Sequence, residues 1–219
     1  MEKIQKDALQ RIFNIPRTTS RFGLYFECGI LPIEHRIIIR KLMYLKKILN
    51  MPDSRLVKIV YNEQKRLGMT KCWWNEVWTI IKNLGITINE NHISIMTKKE
   101  WSKLVKAIIV VRLNEINKKN SETKLRLIRN SHFGLKAYLK DTKASDLLML
   151  KLNMIDLKAN YTAKYKDNTC RRCGKHKEYV EHLWECKKFK MKNCSKDKLL
   201  SNDPKALKRI MREVKRFCK

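Results

Sequence analysis

The chain has 219 residues, with 50 Lys and Arg against 21 Asp and Glu, a formal net charge of +29, and 43% hydrophobic residues. That apolar fraction excludes a wholly disordered chain, and no stretch approaches the roughly 20 uncharged apolar residues of a bilayer-spanning helix. The first residues, Met1 to Asp7, form no secretory apolar core, so the expectation is a chain neither membrane-embedded nor exported.

Six Gly and four Pro are few for a sheet-rich fold, whose turns use both, and the expected class is mainly α. Seven Cys is an odd number, and Cys28, Cys72, Cys194 and Cys218 stand alone, which is no disulfide framework. A reducing nuclear or cytoplasmic location is expected. Such a positive surface most commonly meets nucleic acid, RNA or DNA, by displacing counterions from phosphates. An anionic membrane surface or an acidic protein is the alternative.

In chain order, Ala8 to Phe13 is a short helical run that Pro16 ends. Gly29-Ile30-Leu31-Pro32 turns into a long helix over 34–49, with Ile37, Ile38, Leu42, Leu45, Ile48 and Leu49 as its apolar stripe. Arg36, Arg40, Lys41, Lys46 and Lys47 form its polar side. Leu56, Val57, Val60 and Leu67 suggest a second helix packed on the first. Trp73, Trp74, Val77, Trp78, Ile81 and Leu84 share one helical face, read as core rather than as a base-stacking row, and Gly85 ends it. Thr97 and Glu100 form a capping box that opens a helix to about Asn117. A polar loop follows to Lys124. Leu125, Leu127 and Ile128 begin further apolar runs, and Ser145 is the expected cap of the run at Leu147, Leu148, Leu150 and Leu152. Asp203 as cap and Pro204 at the first helical position start a terminal helix. Leu207, Ile210, Met211, Val214 and Phe217 line one of its sides, and Lys205, Lys208, Arg209, Arg212, Lys215 and Arg216 cover the rest.

The specific motif is Cys170-x2-Cys173-x8-His182-x3-Cys186. Two cysteines two residues apart put both thiolates on one side of a tight turn, where Gly174 supplies positive φ. His182 and Cys186, four apart, share one face of a helical turn. Four such ligands close a tetrahedron, so the expected cofactor is one structural zinc with no open position for an activated water. His176 is read as a surface residue and Cys194 as an unligated thiol.

Two apparent catalytic strings fail on context. His176-Lys177-Glu178 beside Cys-x2-Cys has the reverse order of a zinc deaminase. Asp53, Glu63 and Lys65 mimic a metal-dependent nuclease string but fall where the pattern reads as helix, whereas that site needs strands. No two Asp are adjacent, so the paired carboxylates of a polymerase are missing and catalysis by the chain alone is not expected.

With these helices upstream of the zinc motif, the chain resembles the carboxy-terminal part of non-LTR retrotransposon reverse transcriptases. The likeness lies in Ile15-Pro16-Arg17-Thr18-Thr19, Gly29-Ile30-Leu31-Pro32, Lys124-Leu125-Arg126, Phe133 to Leu139, and Cys170 to Cys186 with Glu181-His182-Leu183. The resemblance implies a helical thumb and linker-like region over 1–165, a CCHC zinc knuckle over 166–190 and a basic tail with a terminal amphipathic helix over 191–219. It implies a chain that follows a polymerase palm, a fragment or separately made remnant of a longer element protein, with a knuckle that helps hold template RNA and target DNA. The metal ligands carried over are Cys170, Cys173, His182 and Cys186. Arg171, Arg172, Lys175, Lys187, Lys188, Lys205, Lys208, Arg209, Arg212, Lys215 and Arg216 are the expected nucleic-acid contacts. The competing expectation is a zinc-stabilised protein-interaction scaffold for an acidic partner.

Overall fold

The computed structural model describes residues 2–120, 125–128, 131–189, 191 and 194–218. Lys124 of the linker motif, and with it the end of the expected polar loop, lies outside the described residues. The described chain is mainly helical, with one isolated antiparallel bridge between Thr169 and Lys177. Its helices are α1 (Glu2–Ile12), α2 (Arg21–Cys28), α3 (Ile33–Leu49), α4 (Leu56–Arg66), α5 (Trp73–Asn83), α6 (Glu90–Ile95), α7 (Lys98–Lys119), α8 (Ala144–Lys151), α9 (His182–Glu185) and α10 (Pro204–Cys218). No helix of the described residues is long and apolar enough to cross a membrane.

Two compact units result, residues 31–113 and residues 1–30 with 114–219. They cut across the three segments read from sequence, because 31–113 stands by itself and the knuckle and basic tail share a unit with both ends of the thumb and linker-like region.

In the unit of 31–113, α3 packs on α4, α5 and α6, and Leu42, Leu45 and Ile48 of α3, Val77 and Ile81 of α5, Ile93 of α6, and Trp101, Val105 and Ile109 of α7 are buried. The Trp101 indole donates to the Leu42 carbonyl at 2.9 Å, so this large ring is buried with its polar atom satisfied. The capping box forms as expected: the Thr97 amide donates to Glu100 at 2.7 Å, and the Glu100 amide to Thr97 Oγ1 at 3.2 Å. The tryptophans pack rather than point out. Trp73 lies edge-on to Tyr44 and Tyr61, with centroids 5.7 and 6.3 Å away, and Trp78 donates to the Tyr61 hydroxyl.

Two expectations are corrected here. Lys46 is buried rather than on the polar side, because its ammonium reaches the carbonyls of Ile93 and Ser94 at 2.8 and 3.3 Å at the end of α6. On α4 the buried residue is Tyr61, while Leu56, Val57, Val60 and Leu67 are exposed. The Tyr61 hydroxyl donates to Glu90 at 2.8 Å while its ring joins the aromatic cluster, which turns the aliphatic side of α4 outward.

The other unit is built on α2, which the sequence pattern did not reveal. Leu24, Tyr25 and Phe26 join Leu125, Ile128, Leu147, Leu148, Leu150, Val180, Leu183, Leu207, Ile210 and Phe217 in one core. Gly29 ends α2 with φ 64°, and a Cβ there would lie 2.3 Å from the Leu135 amide nitrogen. Only glycine allows that approach. Beside it the fully buried Glu27 accepts from Ser131 Oγ at 3.1 Å and from the Tyr138 hydroxyl, with Lys136 Nζ 4.0 Å away. Gly29 and the segment Phe133 to Leu139 therefore meet. Ser145 does not cap α8: the Asp141 carboxylate and carbonyl accept from the Lys143 and Ala144 amides, which starts the helix at Ala144. Asp203 does cap α10, accepting from the Lys205 and Ala206 amides at 3.0 and 3.2 Å, and all five expected apolar residues of that helix are buried.

Candidate metal centre

The four sequence-selected ligands converge. One ligand atom from each of Cys170, Cys173, His182 and Cys186 lies within 4.8 Å of every other. The Cys170 and Cys186 sulfurs are 3.8 Å apart, and Cys173 Sγ is 3.3 Å from His182 Nε2. A tetrahedron with metal–sulfur bonds of about 2.3 Å has sulfur–sulfur edges of about 3.8 Å, so this spacing is compatible with one metal ion shared by all four.

Local backbone builds the turn. The Cys170 amide donates to the His176 carbonyl at 2.6 Å and the Gly174 amide to the Cys170 carbonyl at 2.8 Å, with Gly174 at φ 66°. The Arg172 amide points at Cys170 Sγ at 3.4 Å. Cys186 is held one turn from His182 by its amide bond to the His182 carbonyl at 2.8 Å. Cys170, His182 and Cys186 are buried and Cys173 half-buried.

The thiols differ electrostatically. Amide donors from Lys175 and His176, with help from His182 and Cys170, pull the Cys173 thiol down to about 6. Burial pushes Cys170 up to about 11. Cys173 is thus ready as a thiolate at neutral pH, whereas Cys170 needs a cation to displace its proton.

Beneath the turn lies a residue that sequence reasoning passed over. Glu178 is fully buried and accepts from the Arg171 amide at 2.7 Å, the Lys158 amide at 3.0 Å and the Arg171 guanidinium at 2.7 Å. The chain folds around this carboxylate. Its only sequence signal was its place two residues after His176 in the deaminase-like string, which pointed to the wrong role. His176 is exposed, its ring centroid 5.3 Å from that of His182, and Cys194 is a free thiol outside the cluster.

The expected nucleic-acid contacts divide into two sets. Arg171 binds Glu178 and donates to the carbonyls of Cys218 and Asp156. Arg172 donates to the Phe217 and Arg216 carbonyls at the end of α10, so both arginines of the Cys-x2-Cys turn fasten it to the terminal helix. Lys208 pairs with Asp141, Lys215 with Asp146, and Arg216 with Glu213. Lys175, Lys187, Lys188, Lys205, Arg209 and Arg212 are exposed and have no ion-pair partner among the described residues. Lys205, Arg209, Arg212 and Arg216 follow i, i+4, i+7 and i+11 spacing, which places them in one row opposite the buried stripe.

Asp53, Glu63 and Lys65 do not form a cluster: Glu63 and Lys65 lie on α4 and pair with Arg66 and Glu90. No family model, curated protein or solved structure matches the chain.

Proposed function

We propose that the chain is a nucleic-acid-binding region organised by one structural zinc, of the kind that follows the palm in non-LTR retrotransposon reverse transcriptases. What carries the reading is the outward row of Lys205, Arg209 and Arg212 on a helix whose end is tied to the Cys/His turn by Arg172. Three thiolates and an imidazole suit zinc, and four protein ligands leave no position for an activated water, so the ion serves folding. The row supplies charge to phosphates without reading base edges, and Lys175, Lys187 and Lys188 add to it from the turn. The reading assigns no catalysis to the chain.

The test is the salt dependence of binding to an RNA hairpin and a DNA duplex by fluorescence anisotropy. Changing Lys205, Arg209 and Arg212 together to Ala weakens binding to all sequences alike and flattens the log–log salt slope by about 0.7 to 0.9 per contact. Changing Lys208 and Lys215, which already face carboxylates, has the smaller effect. An unchanged slope in the triple variant would refute the proposal.

A further inference from the structure

The unit of residues 31–113 carries a trough used by neither the metal centre nor the terminal helix. Two cavities of about 640 and 610 Å³ adjoin through Lys47 and Asn50, between α3, the start of α7 and the chain entering α4. Their floor is Met43, Tyr44, Met51 and Met96, continued by Leu56 and Val57. At the second cavity, Leu56, Val57, Ile59 and Val60 stand out from the start of α4, at 74, 41, 45 and 46% exposure. Branched aliphatic groups so exposed side by side form an apolar patch of the kind that marks an interface.

The charges around it have one sign. Arg40, Lys47, Arg55 and Lys98 line the cavities, with no Asp or Glu among the lining residues and no ion-pair partner for these four among the described residues. Lys46, the remaining lining cation, is engaged with the Ile93 and Ser94 carbonyls.

This combination discriminates among occupants. A second copy of the chain would bring another net +29 to a rim with no acid to receive it. Nucleic acid would satisfy the cations but leave the aliphatic patch and thioethers uncovered, since bases stack on aromatic faces and the floor has one such ring, Tyr44, already packed edge-on with Trp73. An amphipathic helix with carboxylates beside its apolar side matches both features, and unbranched methionines adapt to its side chains. We propose that this trough docks an acidic amphipathic helix of a partner protein. Its apolar side rests on Met43, Met51, Met96 and Leu56, and its carboxylates face Arg40, Lys47, Arg55 and Lys98. This surface is independent of the nucleic-acid reading.

The probe is a fluorescein-labelled peptide of about 18 residues with Leu on one helical face and Glu on the other, beside a scrambled control of the same composition. Anisotropy with the full chain is read at about 150 mM salt, where loose charge attraction is screened. The ordered peptide binds at least about tenfold more tightly than the scrambled one. Met96→Asp and the pair Lys47→Glu with Arg55→Glu each weaken it by on the order of tenfold, at unchanged helix content by circular dichroism. If Met96→Asp loses helix content, the exposed charge-reversal pair alone decides. Equal binding of the two peptides, or no loss in the deciding variants, overturns the proposal. So does an oligo(dT) that displaces the ordered peptide and itself loses affinity in the same variants, or a dimer in sedimentation that Leu56→Asp dissociates.

Discussion

Arg126 Nη2 lies 2.6 Å from the Glu181 carboxylate, fifty-five positions away in the chain, and its guanidinium sits 4.5 Å from the centre of the Tyr179 ring. Both side chains are largely shielded, at 19 and 28% exposure. The contact fixes the residue that opens α9, and so the helical turn that aims His182 at Cys173. It also joins two segments, around Leu125 and around His182, that lie far apart in the sequence.

A double-mutant cycle on Arg126→Ala and Glu181→Ala gives a coupling of about 1 kcal/mol, at the upper end for pairs near the surface because the guanidinium also stacks on Tyr179. Denaturant unfolding of the four proteins measures it. A coupling near zero would mean that the two side chains contribute independently.

Removing the metal by chelation, or changing Cys173 to Ser, abolishes amide protection over residues 170–186 and exposes the end of α10 that Arg172 holds. The unit of 31–113 keeps its protection in hydrogen exchange. Metal affinity rises with pH through the neutral range, because the thiols, Cys170 above all, must surrender protons to the ion. Elemental analysis of protein purified without chelator finds one zinc per chain.

Glu178→Ala destabilises by about 3 kcal/mol, since it leaves the Arg171 guanidinium and two amides facing an empty buried site. Urea unfolding reads the loss. Metal content at neutral pH separates this role from a ligand's, because Glu178 touches none of the four donor atoms and zinc stoichiometry is retained while the chain is folded.

Lys151 is fully enclosed and donates to the carbonyls of Leu199, Leu200 and Ser201 at 3.3, 3.2 and 3.3 Å. Burial draws its pKa from 10.5 down to about 8, partly opposed by Glu27. Between those values the unfolded chain holds the proton and the folded chain has released it, so this group adds stability as pH rises from about 8 to about 10.5 and contributes no slope below. The stability difference between the parent and Lys151→Met therefore grows over that window by on the order of 3 kcal/mol. Cys28, pushed up to about 12 by burial, works in the opposite sense above pH 9 but is common to both proteins and cancels. A flat difference would show that Lys151 titrates alike in both states.

Sequence spacing revealed the ligand set, the Thr97–Glu100 box and the Asp203–Pro204 start because each depends on groups within a few turns of one another. A cap reaches amides two or three residues on, and a Cys-x2-Cys turn closes on itself. The same logic failed at Ser145, where Asp141, four positions earlier, bent the chain first. It also missed α2, whose apolar residues surround the whole helix and so leave no periodic stripe to read.

The sequence by itself determined that the chain is helical, strongly basic and equipped with three Cys and one His at metal-ligand spacing. Local backbone preference, charge count and short spacing need no distant partner. Only the tertiary structure decided which lysines go inside, which side of α4 faces water and what Arg171, Arg172 and Glu178 do. Lys46 and Lys151 are buried because carbonyls 47 to 50 positions away meet their ammonium groups. Leu56 and Val60 face out because Tyr61 finds both a ring cluster and a carboxylate inside. Such outcomes rest on the balance between desolvation and partners brought from far along the chain, and that balance exists only once the chain has folded.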